Sequence, residues 1–310
     1  ADGLGELRVG AAKLLGEGRL GRVFLGMSSF GKPIAMRVTP TPPPKSTAQT
    51  GGGRQHLSSL LGVDDDERTN DAASSSHHHD GVDGYAAYYA VRRWVTVTTR
   101  LTHRHMASTW CCLCVNDRVA VQVMELVPGN DLHWFATTFS PPFKCVQRIA
   151  SELLDLLRYL ETQQVVHRGL CPSSVLIGMD GCTKVAGWQL AMCRAVAGDL
   201  AAIGGSNFDP ASLMSASQME CASPEVRERL DAATAASDIY AFAVIVAKLL
   251  LGMRTRIDAA TVGSKLHGLA TLSLDERQRA ASFIAPCLSR EPASRPAARE
   301  LALHSFVTRR

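Results

Sequence analysis

Gly16-Glu17-Gly18-Arg19-Leu20-Gly21-Arg22-Val23 is the stretch with the clearest chemistry. Glycines at this spacing let the backbone approach a phosphate without a Cβ in the way. A G-x-G-x-x-G alone is a weak signal, because dinucleotide folds carry it too. Here both flanks, Leu7 to Leu15 and Arg22 to Met27, read as strands, and no helix opens after the third glycine. Two other groups have metal-ligand types. Cys111, Cys112 and Cys114 lack a matching CxxC pair or histidine spacing, so a β-strand accounts for them better than zinc. His77 to His79 lie in a polar tract that reads as an exposed loop. Lysine chemistry has few candidates, since only seven of the 33 basic residues are lysine (positions 13, 32, 45, 144, 184, 248 and 265).

The elements around these residues change character along the chain. A third strand, Lys32 to Thr39, follows the glycine hairpin. Thr39 to Asp83 then runs through Thr-Pro-Thr-Pro-Pro-Pro, three glycines, an acidic run and three histidines, without an apolar period. It is read as an insertion, mostly disordered, with a short helix near Leu57 to Leu61. Tyr85 to Leu101 reads as a helix. Cys111 to Cys114 and Val119 to Glu125 read as a strand hairpin around Asn116-Asp117. Phe143 to Gln163 carries Val146, Ile149, Leu153, Leu156, Leu157 and Leu160 near helical spacing. Strands are expected at Ser174 to Ile177 and Thr183 to Ala186. Helices are expected at Ser237 to Leu251, Asp275 to Leu288 and Ala297 to Leu303.

In that setting the glycine hairpin with Val23 two residues beyond resembles the G-x-G-x-x-G-x-V loop of protein kinases. The resemblance extends over nearly the whole chain. Ile34-Ala35-Met36-Arg37 stands where that family has V-A-I-K, and Leu101-Thr102-His103 resembles the end of the helix that follows. Met124 to Leu132 resembles the gatekeeper and hinge, and Val166-His167-Arg168-Gly169-Leu170 the catalytic loop. Ser223-Pro224-Glu225 resembles A-P-E, and Asp238 to Phe242 the start of the central helix. Arg290 to Pro296 and His304-Ser305-Phe306 resemble the last helices. The implied fold is α+β and bilobal, with a β-rich N-lobe over about 1–126 and an α-helical C-lobe over about 127–310. Insertion 39–83 removes 45 of the 310 residues, and the rest is one kinase-like domain rather than two independent ones.

Phosphoryl transfer needs a lysine on the phosphates, metal ligands, and a carboxylate for the acceptor hydroxyl. The resemblance places Arg37 at the lysine, whose planar guanidinium does not substitute simply for a point ammonium. Trp94 falls where the partner glutamate belongs, and Gly84 to Asn116 holds no Asp or Glu at all. Gly169 replaces the catalytic aspartate, Cys171 the lysine two residues on, Ser174 the metal-binding asparagine, and Gly187-Trp188-Gln189 the D-F-G. No catalytic residue and no metal site are expected. The resemblance leaves a remnant of a nucleotide pocket at Leu15, Gly16, Gly18, Gly21, Val23, Ala35, Arg37, Met124, Glu125, Leu126 and Leu176; ordinary core packing explains the apolar ones equally well. His167, Glu225, Asp238 and Arg295 match the family's structural positions.

The implied function is a pseudokinase, a protein-binding scaffold or allosteric regulator; an atypical ATP-using transferase with a rearranged site is the alternative. No cofactor is expected, with ATP binding weak and metal-independent or absent. The proline-rich insertion, Gly187-Trp188-Gln189-Leu190 and the aspartate-free loop resemble the rhoptry pseudokinases of apicomplexan parasites. That finer resemblance implies a secreted effector, sent to host cell or vacuole, whose partner is a host GTPase or an active sister kinase. A net charge of +4 gives no nucleic-acid footprint, and Ile239 to Leu251, interrupted by Lys248, is too short to cross a bilayer. The opening Ala-Asp-Gly has no basic start and apolar core, so no signal peptide is expected in it. Nine cysteines leave at least one unpaired within the chain.

Overall fold

The computed structural model describes residues 7–8, 13–18, 21–28, 30–40, 97–115, 119–193 and 214–309. The chain divides into two compact units, Ala1–Val91 with Thr109–Leu126, and Arg92–Ser108 with Val127–Arg310. Arg92–Ser108, expected in the N-terminal lobe, falls in the second unit. Hydrogen bonds explain the difference. Ala107 N–H donates to Val185 O at 2.9 Å, Val185 N–H to His105 O at 2.8 Å, and Thr102 N–H to the Tyr159 hydroxyl at 3.0 Å.

The first unit is a six-stranded sheet of β1 (Leu7–Arg8), β2 (Leu14–Gly18), β3 (Gly21–Ser28), β4 (Pro33–Pro40), β5 (Thr109–Val115) and β6 (Val119–Glu125). Its order is β1-β3-β4-β6-β5, with β2 also paired to β3. Ile34, Met36 and Val123 are buried on one face, with Trp110, Cys111 and Val121 packed against them. The alternation along β4 turns Ala35 and Arg37 to the other face. The insertion was drawn from Thr39, yet Thr39 and Pro40 belong to β4, where they pair with Ala120 and Val119. Residues 41–96, including the expected helices at 57–61 and 85–96, lie outside the described residues, as do 116–118 at the hairpin tip; residues 97–98 are helical. Cys111 and Cys112 sit half-buried in β5, and the eight described cysteine side chains are all free thiols.

The second unit is built on helices. These are α1 (Leu132–Phe139), α2 (Phe143–Thr162), α3 (Ala216–Cys221), α4 (Pro224–Glu228), α5 (Ala235–Leu251), α6 (Val262–His267), α7 (Leu274–Ile284), α8 (Ala298–Leu301) and α9 (Ser305–Thr308). Short strands β7 (Gly129–Asp131), β9 (Val175–Gly178) and β10 (Thr183–Val185) form one sheet, and β8 (Val165–Val166) pairs with β11 (Met192–Cys193). All six apolar positions named for α2 are buried. The run Ile239 to Leu251 is the interior of α5, buried on nearly every side, which is why it lacks a polar face. Lys248, the charge that interrupts it, is buried too, and its ammonium reaches Glu220 Oε1 at 2.6 Å and Met253 O at 2.9 Å. Among the described residues no helix is long and apolar enough to cross a membrane. The helix expected over 275–288 stops at Ile284, and Pro286, without an N–H, helps turn Ala285–Leu288 into a 3₁₀ segment. Likewise Ser174 ends the 3₁₀ turn Pro172–Ser174 instead of opening β9, and the helix expected over 297–303 shortens to α8, with α9 following it.

The glycine hairpin shows that its glycines are not equivalent. Gly16 pairs with Val23, Glu17 with Arg22 and Gly18 with Gly21, while the tip residues Arg19 and Leu20 lie outside the described residues. Gly21 has φ 122°, and a Cβ there would stand 2.1 Å from Val38 O. A Cβ on Gly16 would meet nothing within 4 Å. Gly21→Ala is therefore expected to destabilise the protein by more than ~2 kcal/mol, whereas Gly16→Ala changes stability by less than ~1 kcal/mol in either direction. Urea unfolding of the two variants checks the difference.

Candidate functional site

The segment whose sequence resembles a catalytic loop, His167 to Leu170, follows β8. His167 N–H and Arg168 N–H both donate to Asp238, at 2.7 Å to Oδ2 and 2.9 Å to Oδ1. Asp238 stands in the first turn of α5, opened by a Thr234–Ser237 capping box. Arg168 takes φ 64°, a left-handed turn that brings two successive N–H groups onto one carboxylate. Burial pushes the Asp238 carboxyl up to about 6, although the two N–H donors and the Arg168 charge pull the other way.

His167 is enclosed at 0 % exposure. Its Nε2 lies 3.1 Å from Ala186 O, and its Nδ1 accepts from Gly169 N–H at 3.3 Å. This pattern assigns the neutral Nε2–H tautomer. Burial pushes the imidazole down to about 4, with the Ala186 carbonyl opposing. The Trp188 ring lies edge-on to it at 4.5 Å, and the indole N–H donates to Val185 O at 3.1 Å.

The second anchor is Glu225–Arg295. The pair is bidentate, with Nη1 to Oε1 at 2.6 Å and Nη2 to Oε2 at 2.9 Å. Arg295 also donates to Ser289 O and Ala236 O, and Ser237 Oγ donates to Glu225 Oε1 at 2.7 Å. Burial alone would raise the Glu225 carboxyl; the hydrogen bonds from Arg295 and Ser237 outweigh it and hold it at about 2.

The positions that would carry chemistry are filled differently. Gly169 offers no side chain, and a Cβ there would stand 2.7 Å from Gln218 Nε2 and 3.2 Å from Leu190 Cδ1. Gln218 belongs to α3. Its Nε2 donates to Gly169 O at 3.3 Å and its Oε1 accepts from Ser215 N–H at 2.8 Å. Ser174 Oγ accepts from Cys171 N–H and donates to Cys171 O, both at 2.9 Å, so it is spent on the 3₁₀ turn. Gly187 has φ 81°, and a Cβ there would lie 3.1 Å from Ser174 Cβ. Cys171 is buried, which pushes its thiol up.

In the first unit, Val23 pairs with Arg37, Arg37 with Gln122 and Ala35 with Met124, so these residues share one sheet face. Burial pulls the Arg37 guanidinium down to about 10, which leaves it charged at neutral pH. Glu125 pairs with Ile34 on the opposite face, and Leu126 follows β6 at the unit boundary. Leu15 sits at the irregularity between Leu14 and Gly16 and is 43 % exposed, not a packed core residue. Leu176 lies in the second unit, on β9 opposite Lys184 and Asp131. Trp94 is outside the described residues. Gln218 was missed from sequence, although Ser215-x-x-Gln218 has the capping-box pattern that announces a helix start.

The sequence profile of the protein tyrosine and serine/threonine kinase family matches residues 88–304. The chain belongs to the protein kinase family. Its sheet-rich N-terminal part and helical C-terminal part are the bilobal α+β kinase fold. It is 25% identical over 211 residues to the serine/threonine-protein kinase PAK mbt of Drosophila melanogaster, covering 66% of this chain and 31% of that protein. It is 30% identical over 165 residues to CBL-interacting protein kinase 4 of Oryza sativa subsp. japonica, covering 52% and 34%. It is 27% identical over 193 residues to mitogen-activated protein kinase kinase kinase 2 of Arabidopsis thaliana, covering 60% and 28%. The matched segments span about a third or less of those relatives.

Two outcomes follow for the kinase scaffold. Arg295→Ala strands Glu225 and is expected to cost about 3–5 kcal/mol in urea unfolding, with Arg295→Lys recovering only part because it loses the bidentate fork. The second concerns pH. His167 is pushed from 6.5 to about 4, so its contribution is whole above pH 6.5 and is lost as pH falls towards 4, by about 3 kcal/mol at most. Asp238, raised from 3.8 to about 6, acts oppositely: the folded state gains as pH falls from 6 towards 4. The two partly cancel in the native protein. His167→Gln isolates the first, and its stability deficit against the native protein is expected to shrink steadily from pH 6.5 to 4.

Proposed function

We propose that this kinase-family chain is a pseudokinase that works as a protein-binding scaffold or allosteric regulator, without classical phosphotransfer. The observation that carries the reading is at residue 169. No carboxylate stands there to take a proton from an acceptor hydroxyl, and the Gln218 amide fills the adjoining space. The other positions support it. A magnesium ion does not fit the donor set, because Ser174 has committed its hydroxyl to Cys171 and Gly187 has no side chain to offer. Loss of a catalytic base alone costs several kcal/mol of barrier by analogy with other catalytic-group removals. The buried anchors Asp238, His167 and Glu225–Arg295 support retention of the scaffold for its own sake.

Arg37, charged at neutral pH, supports at most a weak, metal-independent contact with a phosphate. We extend the reading to a secreted effector of the rhoptry type whose partner is a host GTPase or an active sister kinase. That extension rests on the insertion 39–83, Gly187-Trp188-Gln189-Leu190 and the aspartate-free loop. Capture of such a partner from host lysate supports it, and failure of both partner classes to bind the purified chain overturns it.

Thermal unfolding with ATP is expected to show a small rise in melting temperature or none, equal with magnesium and with EDTA. A large, magnesium-dependent rise would sink the reading. Incubation with labelled ATP and generic protein acceptors is expected to give no transfer; reproducible transfer, lost in Arg37→Ala, establishes the atypical transferase instead.

A further inference from the structure

We propose that helix α3 is a built-in stopper of the catalytic loop, with the Gln218 side chain occupying the space that any side chain at residue 169 would need. The inference depends on the reading above only for calling that loop catalytic. The structural claim stands on contacts within the second unit.

Three ties fasten the stopper. Its N-terminus is a reciprocal capping box, in which Ser215 Oγ accepts from Gln218 N–H and Gln218 Oε1 accepts from Ser215 N–H. The other end of the same amide donates to Gly169 O. Both polar ends of Gln218 are therefore committed, which fixes the orientation of the amide against the loop. At the far end of the helix, Glu220 takes the ammonium of Lys248, itself buried in α5. Between these ties, Cys221 is fully enclosed in the core. Helix α3 thus meets residue 169 while tied to α5, the helix whose Asp238 holds residues 167–168.

The consequence is reciprocal. A side chain at 169 must displace the Gln218 amide, and displacing it breaks both the Gly169 contact and the capping box. Gly169 and Gln218 are complementary: the missing side chain of one is the room for the other. Restoring an aspartate at 169 does not by itself restore a usable carboxylate, because the space beside it is taken.

A double-mutant cycle tests this, with thiol labelling as a second readout. Gly169→Ala is expected to lower the melting temperature clearly, and the same change in a Gln218→Ala background to lower it by no more than half as much. The residual fall comes from Leu190 Cδ1, which stays 3.2 Å from the new Cβ. In the native protein, Cys171 and Cys221 should resist a maleimide while exposed Cys182 reacts, as read by peptide mass spectrometry. Gly169→Asp is expected to speed labelling of Cys171 and Cys221 at least tenfold through displacement of α3, and Gly169→Asp/Gln218→Ala to reverse most of that gain. Equal falls in melting temperature in both backgrounds, or labelling of Cys171 and Cys221 unchanged by Gly169→Asp, would overturn the stopper. Neither readout involves phosphate transfer, so a failure here is distinct from a failure of the pseudokinase reading.

Discussion

One buried carboxylate organises the second unit. Asp238 is enclosed at 3 % exposure and accepts two successive backbone N–H groups, which fixes the left-handed turn at Arg168. A charge taken out of water is costly unless donors surround it; here two backbone N–H groups donate, and the nearby positive charge of Arg168 helps. That guanidinium continues outward to Leu190 O and Leu230 O, tying the loop to segments on either side. His167 extends the arrangement through Ala186 O, and its ring backs the Trp188 indole. The position of residues 165–190 therefore follows from an acid at the start of α5, and nothing in that chain of contacts requires a side chain at 169.

The frame of this segment is thus held independently of any side chain at 169. Asp238 and Arg295 are buried and Glu225 half-buried, each with a matched partner, so removing one member leaves an uncompensated group, and folding itself opposes the loss. Groups that do chemistry are held in less favourable settings, poised for a substrate rather than satisfied by the protein, and their replacement relieves strain as often as it creates it. Ser174 illustrates the point. With its hydroxyl shared between the N–H and the carbonyl of Cys171, it closes a tight turn that a metal ligand would have left open.

What could be read from the sequence follows the same division. The spacing of Val146, Ile149, Leu153, Leu156, Leu157 and Leu160 places the buried face of α2 because helical period alone decides it. The alternation in Ile34 to Arg37 likewise separates the two faces of β4. The site is legible as a set of absences, since motif order locates Gly169, Ser174 and Gly187 without any knowledge of their surroundings. What fills those absences is not legible. Gln218 lies 49 residues from Gly169, and no local pattern announces that its amide ends on that carbonyl. The placement of Arg92–Ser108 fails for the same reason: the His105 ring meets Thr183 O across 78 residues, a pairing decided by tertiary contact alone.

Trp188 shows what a replacement at a catalytic motif adds. Val185 O accepts from both Ala107 N–H and the Trp188 indole N–H, so the loop before β5 and the segment after β10 share one carbonyl. A phenylalanine in that place has no donor and could supply only the packing against His167. The indole thus joins Ala107 and Val185, through a hydrogen bond, to His167, through an edge-on ring contact, and the His167 backbone N–H reaches Asp238. A segment held at both ends in this way keeps little conformational freedom.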